Sequence, residues 1–170
     1  METPDFGSAE RRDSRTEACG FYGQDRAEVK ALTTEYPGIG TPKDLYLALR
    51  NVWSRETCAP RMRQDWSEAN RTLGQCSVTA FLVQDIFGGR VWGIPLEEGG
   101  FHCFNQVGDC VFDLTSEQFG ARKLDYSLRY EQTREEHFAG QEKKERYELL
   151  KEGLREFTAR RPEPVQDSSL

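Results

Sequence analysis

The chain has 170 residues, a formal net charge of −6, and 36% hydrophobic and 31% charged residues. This length holds one domain, or one domain with tails, and the low hydrophobic share points to some solvated tail. The acidic balance excludes a general nucleic-acid binder, which needs a basic stripe, and no apolar run approaches the roughly 18 residues of a membrane span.

Residues 1–40 read as a poorly ordered arm, because charges, Gly and Ser mix there without a sustained period. The beginning of the chain also lacks the apolar stretch of a signal peptide. A short helix over residues 26–35 would be marginal alone, and Pro37-Gly38-Ile39-Gly40-Thr41-Pro42 is a linker or turn by composition. A single α+β domain is expected over residues 41–158, and a disordered tail over residues 159–170, where prolines stand and no core-forming run does.

Thr41-Pro42-Lys43-Asp44 is a helix start: a Thr cap, Pro at the first helical position and an acid in the first turn. Leu45, Leu49, Val52 and Trp53 follow at helical spacing, and residues 53–70 are irregular. Gly74-Gln75-Cys76 opens the most apolar stretch, with Val78, Ala80, Phe81, Leu82, Val83, Ile86 and Phe87, and Gly88-Gly89 stops it. Apolar residues nearly all round predict a buried helix; a strand is the alternative, and the length favours helix.

Three strand-like runs follow, over residues 90–96, 101–107 and 110–114. Gly99-Gly100 and Gly108-Asp109 separate them, the second pair being a hairpin signal. After Thr115 the chain becomes helical and charged. Tyr147, Leu150, Leu154 and Phe157 predict an amphipathic helix with one face on the core. The order of helix, buried helix, antiparallel strands and helices is an α+β layout.

Cys76 sits just inside the start of the buried helix. The helix dipole and the unpaired N–H groups there favour a thiolate, and the same groups can receive an oxyanion. A free cysteine is also a common small core hydrophobe, so position alone leaves both readings open. His102 favours the first. It lies in a strand among aromatic residues, where a general base for a thiol belongs; the other histidine, His137, follows Glu135-Glu136 and reads as a solvated surface residue.

A two-residue turn at Gly108-Asp109 pairs Val107 with Cys110, and therefore Asn105 with Phe112, Phe104 with Asp113 and His102 with Thr115. Side chains alternate, so His102 and Asp113 share a face as diagonal neighbours, roughly 7–8 Å apart at the backbone. Asp113 can then orient His102, the third role in a Cys-His-Asp arrangement. Its plainer reading is an end-of-strand acid beside Thr115, which has capping-box spacing to Gln118. The opposite face is mostly core, which makes Asn105 a worse orienting partner.

Gln75 is either an oxyanion donor or a loop residue. Trp53, Ser54 and Asn105 are placed with it around the cleft, although surface capping is the commoner role for a tryptophan. The five cysteines, Cys19, Cys58, Cys76, Cys103 and Cys110, have no paired spacing, which fits reduced thiols in a cytoplasm. A zinc site is disfavoured: no CxxC is present, and adjacent His102 and Cys103 point to opposite faces. No glycine-rich phosphate loop is found either. No cofactor and no metal are called for.

These residues match a wider pattern. The segments Trp53-Ser54-Arg55-Glu56-Thr57, Gly74-Gln75-Cys76-Ser77-Val78-Thr79-Ala80 and Phe87-Gly88-Gly89 resemble the YunG family of small bacterial proteins. So do His102-Cys103-Phe104-Asn105, Phe112-Asp113-Leu114-Thr115-Ser116-Glu117-Gln118-Phe119 and Arg146-Tyr147-Glu148-Leu149-Leu150. The resemblance runs over residues 41–157 and supplies no activity. Separately, the order of Cys at a helix start, His on a strand and Asp on the next strand is similar to papain-like and transglutaminase-like cysteine hydrolases. In papain-like enzymes the oxyanion glutamine lies several residues before the cysteine, whereas Gln75 is adjacent to it.

The expected fold is a papain-like or transglutaminase-like α+β core, its buried helix packed on a small antiparallel sheet with helices outside. The favoured function is a cysteine-dependent hydrolase or acyl-transfer enzyme acting on a peptide, amide or ester. Cys76 attacks, His102 moves the proton and Asp113 orients it. The alternative is a non-catalytic binding or regulatory module. Neither reading involves nucleic acid or a membrane, and the oligomeric state is not legible.

Overall fold

The helix that begins at Cys76 organises the molecule. In the computed structural model, which describes residues 20–160, α2 spans Cys76–Phe87 and buries eight of its twelve side chains. Its apolar residues leave only a narrow polar edge at Ser77, Gln84 and Asp85, so it packs between a sheet and a second helix. Gly88 ends it at φ 77°, donating its N–H to the Gln84 carbonyl at 2.8 Å. Gly89 follows at φ 78°, and a Cβ there would stand 2.2 Å from the Gln106 carbonyl oxygen. Two glycines therefore let the chain turn from α2 straight into the sheet.

The sheet has four antiparallel strands: β1 Arg90–Pro95, β2 Phe101–Val107, β3 Cys110–Phe112 and β4 Tyr130–Glu131, in the order β3-β2-β1-β4. The β2–β3 register is Val107↔Cys110, Gln106↔Val111 and Asn105↔Phe112, the pairing that a two-residue turn at Gly108-Asp109 demands. One face of β2 packs on α2, where Asn105 Nδ2 donates to the Ala80 carbonyl at 2.9 Å. The other face is covered by irregular chain: Phe119 meets the His102 ring at 4.7 Å, and Tyr126 meets Phe104 at 5.0 Å.

Helix α1 (Pro42–Leu49) starts at a reciprocal capping box, with Asp44 N–H donating to Thr41 Oγ1 and Thr41 N–H to Asp44 Oδ2. A short α3 (Arg134–His137) precedes α4 (Gln141–Arg160), which buries Tyr147, Leu150 and Leu154 on one face. Helix α4 contacts both α1 and α2, and the three close the main core. The architecture is α+β. Among the described residues no helix is long and apolar enough to cross a membrane.

Several local expectations differ from the structure. Residues 1–19 and 161–170 lie outside the described residues, but residues 20–40 are packed rather than loose: Phe21, Ala27, Tyr36 and Ile39 belong to the main core. No helix forms over residues 26–35. A 3-10 turn at Gln24–Arg26 is followed by irregular chain whose amides bond elsewhere, Leu32 N–H to the Ile86 carbonyl and Ala31 N–H to the Gly40 carbonyl. After Thr115 the chain makes only a 3-10 turn at Ser116–Phe119 before β4. Thr115 does not cap it, because its hydroxyl donates to Asp113 instead.

Candidate active site

Cys76 occupies the first turn of α2, half-buried. The turn before it is fixed by Gly74 at φ 70°, where a Cβ would lie 2.5 Å from Cys58 Sγ. The first N–H groups of the helix have no carbonyl one turn behind them. The start of the helix borders a cavity of about 760 Å³ that Cys76, His102, Cys103, Phe119, His137 and Arg146 help to line. A second cavity, about 540 Å³ beside Tyr36, Asp85, Arg134 and Tyr147, has neither a thiol nor an imidazole in its wall.

His102 and Asp113 are both 1% exposed and joined by a 2.6 Å contact between His102 Nε2 and Asp113 Oδ2. The β2–β3 register carries them there: His102 points away from α2, and Asp113 continues one residue beyond β3 on the same face. Asp113 is held from every side. Tyr126 Oη donates to Oδ2 at 2.7 Å, while Thr115 N–H and Oγ1–H donate to Oδ1 at 3.1 and 3.2 Å. Its own N–H reaches the Tyr22 carbonyl at 3.0 Å.

With Nε2 engaged by the carboxylate, Nδ1 of His102 is buried and makes no hydrogen bond within the fold. Burial opposes the charged ring, yet the Asp113 carboxylate and then the Cys76 sulfur raise its pKa from 6.5 to about 10. Cys76 moves the opposite way. Donation from the Cys103 thiol is the largest cause, burial resists it, and His102 assists, so its pKa falls well below the ordinary 9.0. Cys103 is pushed up, first by that same hydrogen bond and then by burial. A thiolate at Cys76 beside an imidazolium at His102 is the charge state this geometry favours.

The other residues expected at the cleft do not line it. Trp53 is buried in the core, with Nε1 donating to Thr79 Oγ1 at 3.0 Å. Ser54 sits in a turn with Thr57, and its carbonyl accepts from Gln75 Nε2 at 2.9 Å. Gln75 is fully buried and braces that turn against the start of α2, so its amide donor is already used. Asn105 points at Ala80 on the far face of β2. Their place at the cleft is an expectation from the chain alone, whereas tertiary hydrogen bonds decide where the polar end goes.

Four residues of the site carry no local signal of it. Tyr126 and Thr115 position Asp113. Cys103 faces Cys76 although its neighbour His102 points to the other side of the strand. His137, expected on the surface, is buried against Phe81 at a ring separation of 4.6 Å, with Nε2 unpartnered. Burial, with Lys143 and Arg146 nearby, lowers its pKa from 6.5 to about 4, which keeps it neutral. Its acidic neighbours in sequence suggested solvent; the fold of α3 back onto α2 overrides them.

Tyr126→Phe tests the positioning network by deleting only the phenol oxygen. The loss of one donor to a buried carboxylate is expected to cost about 1.5–3 kcal/mol. Urea unfolding at neutral pH measures it, and a change below about 0.5 kcal/mol would show that the bond to Asp113 is energetically idle.

No group of three or more His, Cys, Asp or Glu side chains is arranged for a metal ion among the described residues. Two comparisons match this chain. Residues 41–159 match the family described as YunG protein, and the chain belongs to that family. It is 36% identical over 106 residues to the "Uncharacterized protein YunG" of Bacillus subtilis (strain 168), a match covering 62% of this chain and 84% of that protein. No solved structure matches it.

Proposed function

We propose that this YunG-family protein is a cysteine-dependent acyl-transfer enzyme acting on an amide or ester, on a papain-like or transglutaminase-like core. The supporting observation is the buried 2.6 Å His102–Asp113 contact in the wall of the cavity that holds Cys76. A buried ion pair costs desolvation and is poor evidence of stability in itself. Here it leaves one imidazole nitrogen free beside a thiol at a helix N-terminus, which is the arrangement that activates a nucleophile.

In the reaction, the Cys76 thiolate attacks the acyl carbon. The N–H groups at the start of α2 receive the oxyanion. The His102 imidazolium protonates the leaving amine or alcohol, then takes a proton from the second nucleophile. Water as that nucleophile gives hydrolysis or deamidation; an amine gives transamidation. Asp113 keeps the proton on Nε2 so that Nδ1 faces the thiol.

The test is the iodoacetamide rate of each cysteine against pH, read by peptide mass spectrometry. His102 keeps its proton well above its ordinary value and Cys76 loses its own well below 9.0, so Cys76 should alkylate at a nearly constant rate across the pH units just below 9. A free cysteine peptide should instead rise about tenfold per pH unit until its thiol ionises. A Cys76 rate that climbs like that of the free peptide would remove the basis of the proposal.

A further inference from the structure

Acyl transfer needs one thiol, and this cavity has two. Cys103 follows His102 in β2 and turns to the opposite face, toward α2. Both residues line the cavity, and the pull of each sulfur on the other's ionisation places the two thiols beside one another. Cys103 is 5% exposed, so it is shielded while Cys76 remains reachable. The other described thiols stand apart from this pair: Cys58 is buried with its sulfur toward the Ala59 carbonyl at 3.5 Å, and Cys110 opens β3 at the hairpin.

We propose that Cys76 and Cys103 form a reversible redox pair, in which a hydroperoxide oxidises Cys76 and Cys103 resolves it as an intramolecular disulfide. A half-buried thiolate on a cavity wall with a shielded thiol beside it is the arrangement that favours this sequence over further oxidation. In the first step the Cys76 thiolate attacks one oxygen of the peroxide and the O–O bond breaks. Cys76 becomes a sulfenic acid, and the departing hydroxide takes the His102 imidazolium proton to leave as water.

In the second step the Cys103 sulfur attacks the Cys76 sulfur. The S–O bond breaks, and the hydroxyl leaves as water with the Cys103 proton. The two sulfurs lose two electrons in all, and one hydrogen peroxide becomes two waters. A dithiol reductant reverses the bond. The pair rests on the Cys76 thiolate of the preceding proposal but not on acyl transfer, so either can fail alone.

The experiment treats the full-length protein with about three equivalents of hydrogen peroxide, enough for a second oxidation of one sulfur, traps free thiols and maps cysteine peptides by fragmentation mass spectrometry. Cys103 and Cys110 fall in one tryptic peptide, between Arg90 and Arg122, so fragments or the Cys110→Ser variant assign the bridge. The expected product is a Cys76–Cys103 disulfide that dithiothreitol fully reverses. In Cys103→Ser, or Cys103→Ala should the first fold poorly, Cys76 should instead reach sulfinic acid, at least about tenfold more than wild type and not recovered by dithiothreitol.

Sulfinic acid at Cys76 in the wild-type chain, or a bridge from Cys76 to any other cysteine, overturns the pair. A rapidly alkylated Cys76 that never bonds to Cys103 does so too, while leaving the acyl-transfer proposal standing. Conversely, a Cys76–Cys103 bridge in a protein whose Cys76 fails the pH test supports the pair alone.

Discussion

Asp113→Ala is expected to destabilise the protein by about 3–5 kcal/mol near neutral pH, the cost of removing one member of a buried charged pair. The substitution strands three sets of donors at once: the His102 ring, the Tyr126 hydroxyl, and the Thr115 N–H and hydroxyl. For a chain of this size that is a fall in Tm of roughly 6–20 °C. Asp113→Asn separates stability from chemistry. Its amide keeps the volume and one acceptor but offers N–H where a carboxylate oxygen had accepted.

The imidazole in Asp113→Asn is then expected to turn its lone pair to Nε2 and its proton to Nδ1, the wrong tautomer for a base beside Cys76. Without imidazolium the thiol of Cys76 loses one of the groups that hold its pKa down, Cys103 remaining, and its thiolate fraction near pH 6 falls. A more basic thiolate is also more nucleophilic, which returns part of the loss. The net expectation is about a tenfold slower alkylation of Cys76 near pH 6, with wild-type rates at Cys110. Equal Cys76 rates in wild type and Asp113→Asn would show that the carboxylate has no hold on the thiol.

The pairing behind that expectation was legible in the sequence because it depends on local rules. Gly108-Asp109 between β-prone runs sets a two-residue turn, the turn sets the register, and the register puts His102 and Asp113 on one face. Cys76 was legible for a similar reason: Gly74 and a run of apolar residues mark a helix start. Tyr126 was not, because it reaches Asp113 from an irregular segment thirteen residues on, and irregular chain has no period from which a contact can be counted. Trp53, Gln75 and Asn105 failed in the other direction. Their polar groups serve Thr79, Ser54 and Ala80 inside the fold, and nothing in their spacing separates that use from a place in the cleft. The match to the YunG family begins at residue 41, and the segment before it shows no period either, yet it carries part of the core.

A chain that begins at Thr41 is therefore expected to lose cooperative folding. Phe21 packs its ring at 5.2 Å from Tyr46 and 6.4 Å from Phe112, at the junction of α1 and the sheet. Tyr36 and Ile39 are 3% and 6% exposed, and burial raises the Tyr36 pKa to about 12. Each such side chain contributes about 1.5–3 kcal/mol by leaving water, so losing three removes a large part of the roughly 5–15 kcal/mol that holds a domain together. The truncation also reaches the site. Tyr22 accepts the Asp113 N–H and stacks on Tyr126 at 3.8 Å, so removing it loosens both the carboxylate and its phenol partner. Phe21→Ala in the full chain should cost about 3–5 kcal/mol by leaving a cavity, and should speed Cys110 alkylation as the β3 edge opens. Urea unfolding followed by near-ultraviolet circular dichroism measures both variants. A chain starting at Thr41 that unfolds cooperatively within about 2 kcal/mol of the full protein would mean that residues 20–40 only lie on a core complete without them.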